Sequence, residues 1–404
     1  WSAFTNISMY EWEYYLDYRK AQGFNALQIN ILHQWDASET NIETIKPFKV
    51  NHDGTYDFNK INEEYFMKAS KMLQMAVDKG FIPVLVLLWS NYVPGTWASD
   101  LDDSNIMPID AIENYVKYVG QEFKRFNPVY CISGDTDFET ELTREYYKIT
   151  FETIKKISPE SLMTFHIRGR LVEIPEVFME DSRYDFYMYQ SGHNTDYRYM
   201  AYKMAEIFYG YPIKRPIINS EPCYEFMGFS RKKYGRFTRF DVRKAAWQSL
   251  LSGASAGITY GAHGIWSWYR KGMKFRMGNG EGFIPPYDWQ EALKGEGAWD
   301  YSFAKWIFET YQLMGIVPAK RVLNDTEEIR MAVTKDKSRV AIYIPVNISV
   351  IVDMDLTKYE LVMIDLKNRY FGKPELKISN GKSIFAMNNF EEDTLIIGVK
   401  KDHI

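Results

Sequence analysis

"FIPVLVLLW", residues 81–89, is the stretch on which the fold turns. It is apolar at every position rather than at every second one, so a strand here has both faces buried. At nine residues it is far below the ~18 that a membrane helix needs. Strands of this kind belong to parallel sheets covered by helices. Six further β-rich runs repeat the pattern: 24–32, 128–133, 162–167, 185–190, 215–220 and 256–261. Helical periodicity fills 9–21, 62–79, 109–126, 140–157, 197–209 and 240–253. Alternation of this kind predicts an α/β chain of βα units. Closure into a (β/α)8 TIM barrel takes eight strands. The first strand is then largely missing from this chain, with Trp1 as its last residue. An open doubly wound sheet is the alternative, but the glycine-rich strand-to-helix fingerprint of that fold is missing.

From about residue 320 the texture changes to alternating apolar and polar positions, with turn residues every 8–12 positions. The expectation is a catalytic barrel over 1–318 and a small antiparallel β-sandwich over 319–404.

A net charge of -4 with no basic run argues against nucleic acid or an anionic membrane as partner. Eleven Trp, 30 Tyr and 25 Phe make the chain 16% aromatic. Most of these rings are core, and the remainder suit the stacking faces of a sugar cleft. Cys131 and Cys223 sit in apolar runs and read as buried free thiols, which points to a reducing, cytoplasmic setting. The start at Trp1 rather than Met leaves a removed signal peptide, and so a secreted or periplasmic location, open. Oligomeric state is not encoded in any pattern here.

In a barrel, chemistry is carried at the C-terminal strand ends. Read in turn, those ends offer His33, Gln34 and Trp35; Trp89, Ser90, Asn91 and Tyr92; Asp135 and Asp137; His166 and Arg168; Gln190 and His193; Glu221, Tyr224 and Glu225; and Tyr260, His263, Trp266 and Trp268. Two acids, Asp135 and Glu221, end the fourth and seventh strands. A pair of carboxyl groups is what glycoside hydrolysis requires, one to protonate the leaving oxygen and one to attack the sugar. Gly134 leaves room beside Asp135, and Pro222 fixes the backbone after Glu221. Asp135 could instead cap the helix that starts near 139, a role for which Asp137 is better placed, and Glu225 is a rival to Glu221.

His33, Trp35, Trp89, His166, Gln190, His193, Tyr224, Tyr260, His263 and Trp266 are the candidate sugar-binding residues, with Trp35 and Trp266 as the exposed pair of rings. Four of the six histidines fall at strand ends, which a metal-dependent barrel hydrolase would also show. Such an enzyme adds a His-x-His on its first strand and an Asp after its eighth, and "TYGAHG" at 259–264 has no Asp. The expectation is therefore no metal and no cofactor. A carbohydrate-binding barrel without activity is a third reading.

The segments "YQSGH" (189–193), "NSEPCYE" (219–225) and "GITYGAHGIWSWY" (257–269), with "ISGD" (132–135) and "YRKAQGFNALQ" (18–28), resemble the apiosidase-like glycoside hydrolases, glycoside hydrolase family 140, over about residues 1–315. The C-terminal part resembles the small β-domain often appended to them and labelled collagen-binding-like. The resemblance implies a TIM barrel and a retaining, double-displacement mechanism, with Asp135 as acid/base and Glu221 as nucleophile. It also implies a plant-polysaccharide substrate such as apiose-containing pectic side chains. Most relatives in the wider clan carry Asn-Glu where this chain has Gly134-Asp135, an acid shorter by one methylene.

Overall fold

A computed structural model describes residues 1–231, 233–275 and 284–403. The chain divides into two compact units: 1–190 with 226–235 and 261–294, and 191–225 with 236–260 and 295–404.

The first unit is built on a parallel sheet. Its strands are β1 (Ala26–Asn30), β4 (Ile82–Trp89), β5 (Val129–Gly134) and β6 (Met163–Thr164), hydrogen-bonded in the order β1-β4-β5-β6. Register runs from Ala26 beside Ile82 to Asn30 beside Val86, and from Val84 beside Val129 to Trp89 beside Gly134. Every residue of β4 after Ile82 is buried, as its two-faced apolar pattern requires. Crossover helices supply the cover. The helix Glu63–Asp78 buries Tyr65, Phe66, Ala69, Met72, Leu73 and Ala76, a spacing of three and four that forms one stripe. Each such Leu or Met contributes about 1.5–3 kcal/mol when taken from water into this interface. Asn62 caps that helix and Ser8 closes a capping box on the helix Met9–Ala21. The Trp1 carbonyl accepts the Asn30 N–H (3.1 Å), and the Ser2 N–H reaches the Trp266 carbonyl (3.1 Å).

A hairpin that the strand and helix periodicities do not announce, β2 (Phe48–Val50) with β3 (Tyr56–Ile61), lies between β1 and the helix Glu63–Asp78 in the chain. β7 (Tyr187–Tyr189) is the last strand of this unit.

The second unit holds β8 (Ile217–Asn219) and the helices Met200–Gly210, Arg239–Leu250 and Gly297–Thr310. The run 256–261, expected as a strand, is an irregular segment tied to β8 by one parallel bridge, Asn219 to Ile258. Its glycines and alanine give a strand little to pack. Among the described residues the strand ladders do not close into a ring. The architecture they display is mixed α/β, not a completed eight-stranded cylinder.

The C-terminal strands are β9 (Val317–Pro318), β10 (Arg330–Val333), β11 (Arg339–Ile344), β12 (Val350–Val352), β13 (Tyr359–Asp365), β14 (Tyr370–Gly372), β15 (Leu376–Ser379), β16 (Lys382–Phe385) and β17 (Thr394–Lys400). They form a six-stranded sheet, β14-β13-β17-β11-β10-β9, and a three-stranded one, β12-β16-β15. The larger sheet is buried on both faces around β11. Val340, Ile342 and Ile344 share a core with Val350, Val352 and Phe385 of the smaller sheet. Ala341 and Tyr343, pointing the other way, share one with Trp247, Leu250, Ile307 and Phe308 of the helices. Arg243 binds this face ionically. Its guanidinium lies 2.6 Å from Asp393 and 2.8 Å from Asp300, all three buried, and the Tyr343 hydroxyl donates to Asp393 (3.0 Å).

Among the described residues no helix is long and apolar enough to cross a membrane. Both thiols are free and buried, and burial pushes the Cys131 thiol up to about 12 and that of Cys223 upward too, so neither is a ready nucleophile.

Candidate active site

In the first unit the chemistry-bearing residues gather where β1, β4, β5 and β6 end. Asp135 follows β5 directly and holds a left-handed backbone, φ +55°. That conformation is uncommon for a residue with a Cβ, and Asp tolerates it better than most. Two partners hold it. The Asp135 N–H donates to Nδ1 of His166 (3.1 Å), and its carbonyl accepts Nε1–H of Trp97 (2.8 Å). A neutral His166 that accepts at Nδ1 carries its proton on Nε2.

Asp137 performs a different task. It takes the Trp97 backbone N–H (3.3 Å) and lies 3.5 Å from Arg168, clamping the loop after β4 to the end of β6. The helix Glu141–Ile157 is capped by Thr140, whose hydroxyl accepts the Thr143 N–H (3.0 Å). Neither aspartate is a cap. That removes the structural role proposed for Asp135 from its spacing to the helix.

Gly134 makes room, but for the protein itself. A Cβ there would lie 2.1 Å from the Trp89 ring. Trp89 is buried, and Trp1, Trp89 and His166 form a three-ring wall with centroids 5.2–5.9 Å apart. His33 and Trp35 line a cavity of about 230 Å³ with Asn91, Tyr92 and Tyr56 of the hairpin. Gln190 is buried and its carbonyl accepts the Arg170 N–H (3.0 Å). His263 and Trp266 pack on Phe275, at 5.2 and 6.0 Å. Trp266 is 6% exposed, so it is not the open ring its position suggested, whereas Trp35 is half-buried. Trp268 is fully buried and stacks on Trp289 at 4.6 Å.

In the second unit Glu221 stands just past β8, 7% exposed. Nε2 of His193 is 2.9 Å from its Oε1. The other ring nitrogen, Nδ1, accepts the Tyr224 N–H (3.3 Å), so Nε2 carries the proton and donates to the carboxylate. The Tyr224 ring also packs on the imidazole at 4.5 Å. The Glu221 carbonyl accepts the Gly192 N–H (3.0 Å), which fixes the His193 loop to the β8 end. Two residues before Glu221, Asn219 donates to the hydroxyls of Ser191 (2.9 Å) and Ser249 (3.0 Å).

The rival acid, Glu225, is held otherwise. Its Oε2 accepts the Tyr260 hydroxyl (2.5 Å) and the Gly297 N–H (3.0 Å). A Cβ on Gly295 or Gly297 would come within 2.6–2.7 Å of that same oxygen. Burial raises the Glu225 carboxyl above its ordinary value, with the two donors opposing. Tyr260, a sugar-binding candidate, thus has its hydroxyl on Glu225. Among the described residues no group of three His, Cys, Asp or Glu side chains is placed to hold a metal ion. Sequence spacing missed Trp97, although an aromatic in the loop after a strand end, "VPGTW" at 93–97, was its available signal.

The sequence profile described as "Apiosidase-like, catalytic domain" matches residues 1–315. The chain belongs to the apiosidase-like family. It is a glycoside hydrolase. No curated protein matches it. Among solved structures, this apiosidase-like chain is similar to one described as a glycoside hydrolase, at a TM-score of 0.79 and 20% identity, covering 100% of this chain and 91% of the other. It is similar to a glycoside hydrolase family 5 protein from Bacteroides vulgatus, at 0.80 and 20%, covering 100% and 89%. A putative glycoside hydrolase from the same organism gives 0.70 and 14%, covering 98% and 77%. At these identities the likeness is one of fold.

Proposed function

We propose that this apiosidase-like chain is a retaining glycosidase of plant-polysaccharide oligosaccharides, with apiose-containing pectic side chains as the substrate class. In this reading residues 1–318 are a (β/α)8 TIM barrel whose first strand is largely missing from this chain, and 319–404 a small antiparallel β-sandwich. Asp135 protonates the glycosidic oxygen while Glu221 attacks the anomeric carbon, and the leaving group departs as an alcohol. Asp135 then takes a proton from water, which releases the sugar and restores both acids.

The observation that carries this reading is the His193–Glu221 hydrogen bond. A buried glutamate at a strand end receives an N–H whose direction is set by the Tyr224 amide. A donor so aimed stabilises the carboxylate, the form that attacks. The fixed Asp135 backbone supports the partner role, since its carboxyl is delivered from a strand end whose main chain is pinned on both sides. His193 is engaged at both ring nitrogens, which supports a role in orienting the carboxylate over metal ligation.

Two measurements test it. NMR of the first anomer released from aryl-glycosides or pectic oligosaccharides should show the configuration of the substrate; the opposite anomer would mean inversion. Glu221→Gln should abolish turnover with the melting temperature kept; wild-type turnover in that variant would remove Glu221 from the chemistry.

A further inference from the structure

The cavity beside the β1 and β4 ends is not used by the two-acid mechanism. We infer that it is a subsite for one uncharged glycosyl unit of the substrate, next to the unit whose bond is cut. This rests on the glycosidase reading above.

Four observations carry it. Size comes first. About 230 Å³ is near the volume of seven or eight liquid waters at ~30 Å³ each, and below the ~300 Å³ floor of drug-sized pockets. That fits a single ring, not a chain. The lining is the second. Rings of Trp35, Tyr56 and Tyr92 stand beside the polar groups of His33, Asn91 and Asn105, a mixture that suits a molecule with C–H faces and hydroxyl edges. Charge is the third. Lys46 and Asp102 bring one charge of each sign, and Asp102 already accepts the N–H and hydroxyl of Ser104 (3.1 and 2.5 Å). A lining without net charge selects a neutral sugar over a uronate.

The fourth is position. Trp35 packs edge-on against Trp97 at 6.1 Å, and Trp97 donates to the Asp135 carbonyl. The two indoles thus connect the cavity wall to the Asp135 main chain. The walls are pre-formed: the Tyr56 N–H donates to Asn105 Oδ1 (3.0 Å), and the Tyr92 hydroxyl to the His33 carbonyl (2.7 Å).

The test compares kcat/KM for an aryl monoglycoside with that for size-fractionated pectic oligosaccharides of two to six units. In wild type the oligosaccharides should be favoured. Ser104→Trp, which fills the cavity from an exposed rim position, and Asn91→Ala should each lower that ratio about tenfold, the loss expected for one stacking face or one buried hydrogen bond. An unchanged ratio in a Ser104→Trp protein that melts like wild type overturns the inference and leaves the glycosidase reading intact. If the wild type cleaves nothing, the glycosidase reading fails. Titration calorimetry of the same oligosaccharides then judges the cavity: weaker binding to Ser104→Trp upholds it, and equal binding overturns it.

Discussion

His193 stands between the Tyr224 amide and the Glu221 carboxylate, accepting from one with Nδ1 and donating to the other with Nε2. The backbone therefore sets the tautomer that the acid needs. His193→Ala removes a hydrogen bond to a buried charged group, worth about 1.5–3 kcal/mol. If that bond is made in full only in the transition state, kcat falls about 10- to 100-fold. Steady-state kinetics alongside a thermal melt checks this. His193→Gln, which keeps an N–H, should recover part of the loss; equal kcat in wild type and His193→Ala would detach the imidazole from the chemistry.

Gly134 and Trp89 make a second pair. A methyl group at 134 collides with a buried indole. Gly134→Ala should destabilise the protein by about 1–3 kcal/mol, the usual cost of overpacking. It should also disturb Asp135, the next residue. Trp89→Leu in the same chain should restore part of the stability. Denaturant melts of the two single variants and the double variant give the coupling.

Glu225 yields a pH prediction with a definite sign. Its folded carboxyl titrates above the 4.5 of an ordinary glutamate because burial disfavours the charge. From that value upward, until the folded group also ionises, the native state holds a proton that the unfolded chain has lost. Stability from this group therefore falls as pH rises through that window. Glu225→Gln should flatten that part of the slope, read from thermal melts between about pH 4 and 8. A slope unchanged by the substitution would show that the Tyr260 and Gly297 donors already hold the carboxylate ionised.

Arg243 is the structural counterpart of the two acids. Asp393 and Asp300 are buried and lie against its guanidinium. Arg243→Met leaves both acids without that cation, and breaking a buried pair this way costs about 3–5 kcal/mol. Guanidinium unfolding measures it. Replacing Asp393 by Asn as well should return part of the loss.

The parallel strands and crossover helices of the first unit were legible because each obeys one period. β4 is uniformly apolar, and the helix Glu63–Asp78 repeats its buried residues at three and four. The hairpin β2–β3 was not seen, although its Asp53-Gly54 turn is a recognised local signal, because its short arms carry little hydrophobic alternation. The run 256–261 looked like a strand and is not one: propensity named it, and packing gave it only one bridge. β11 reads as buried on both faces for a reason no local pattern states, since its second layer is a helix about 100 residues earlier in the chain. The strand-end positions read for Asp135 and Glu221 are kept, Asp135 directly after β5 and Glu221 just past β8. The duties of Trp97, Asp137 and Tyr260 were not legible, because each is defined by a partner 35 to 40 residues away.

The two-sided burial of the β11 and β17 sheet bears on how this enzyme can be handled. Those strands are a floor under the helix Arg239–Leu250, and that helix lies in the same compact unit as the Glu221 loop. A recombinant fragment stopped at 318 would leave Trp247, Leu250 and Ile307 bare to water and would be recovered as aggregate. Trimming for crystallisation or display belongs in the surface loops, not in the strands that cover this helix.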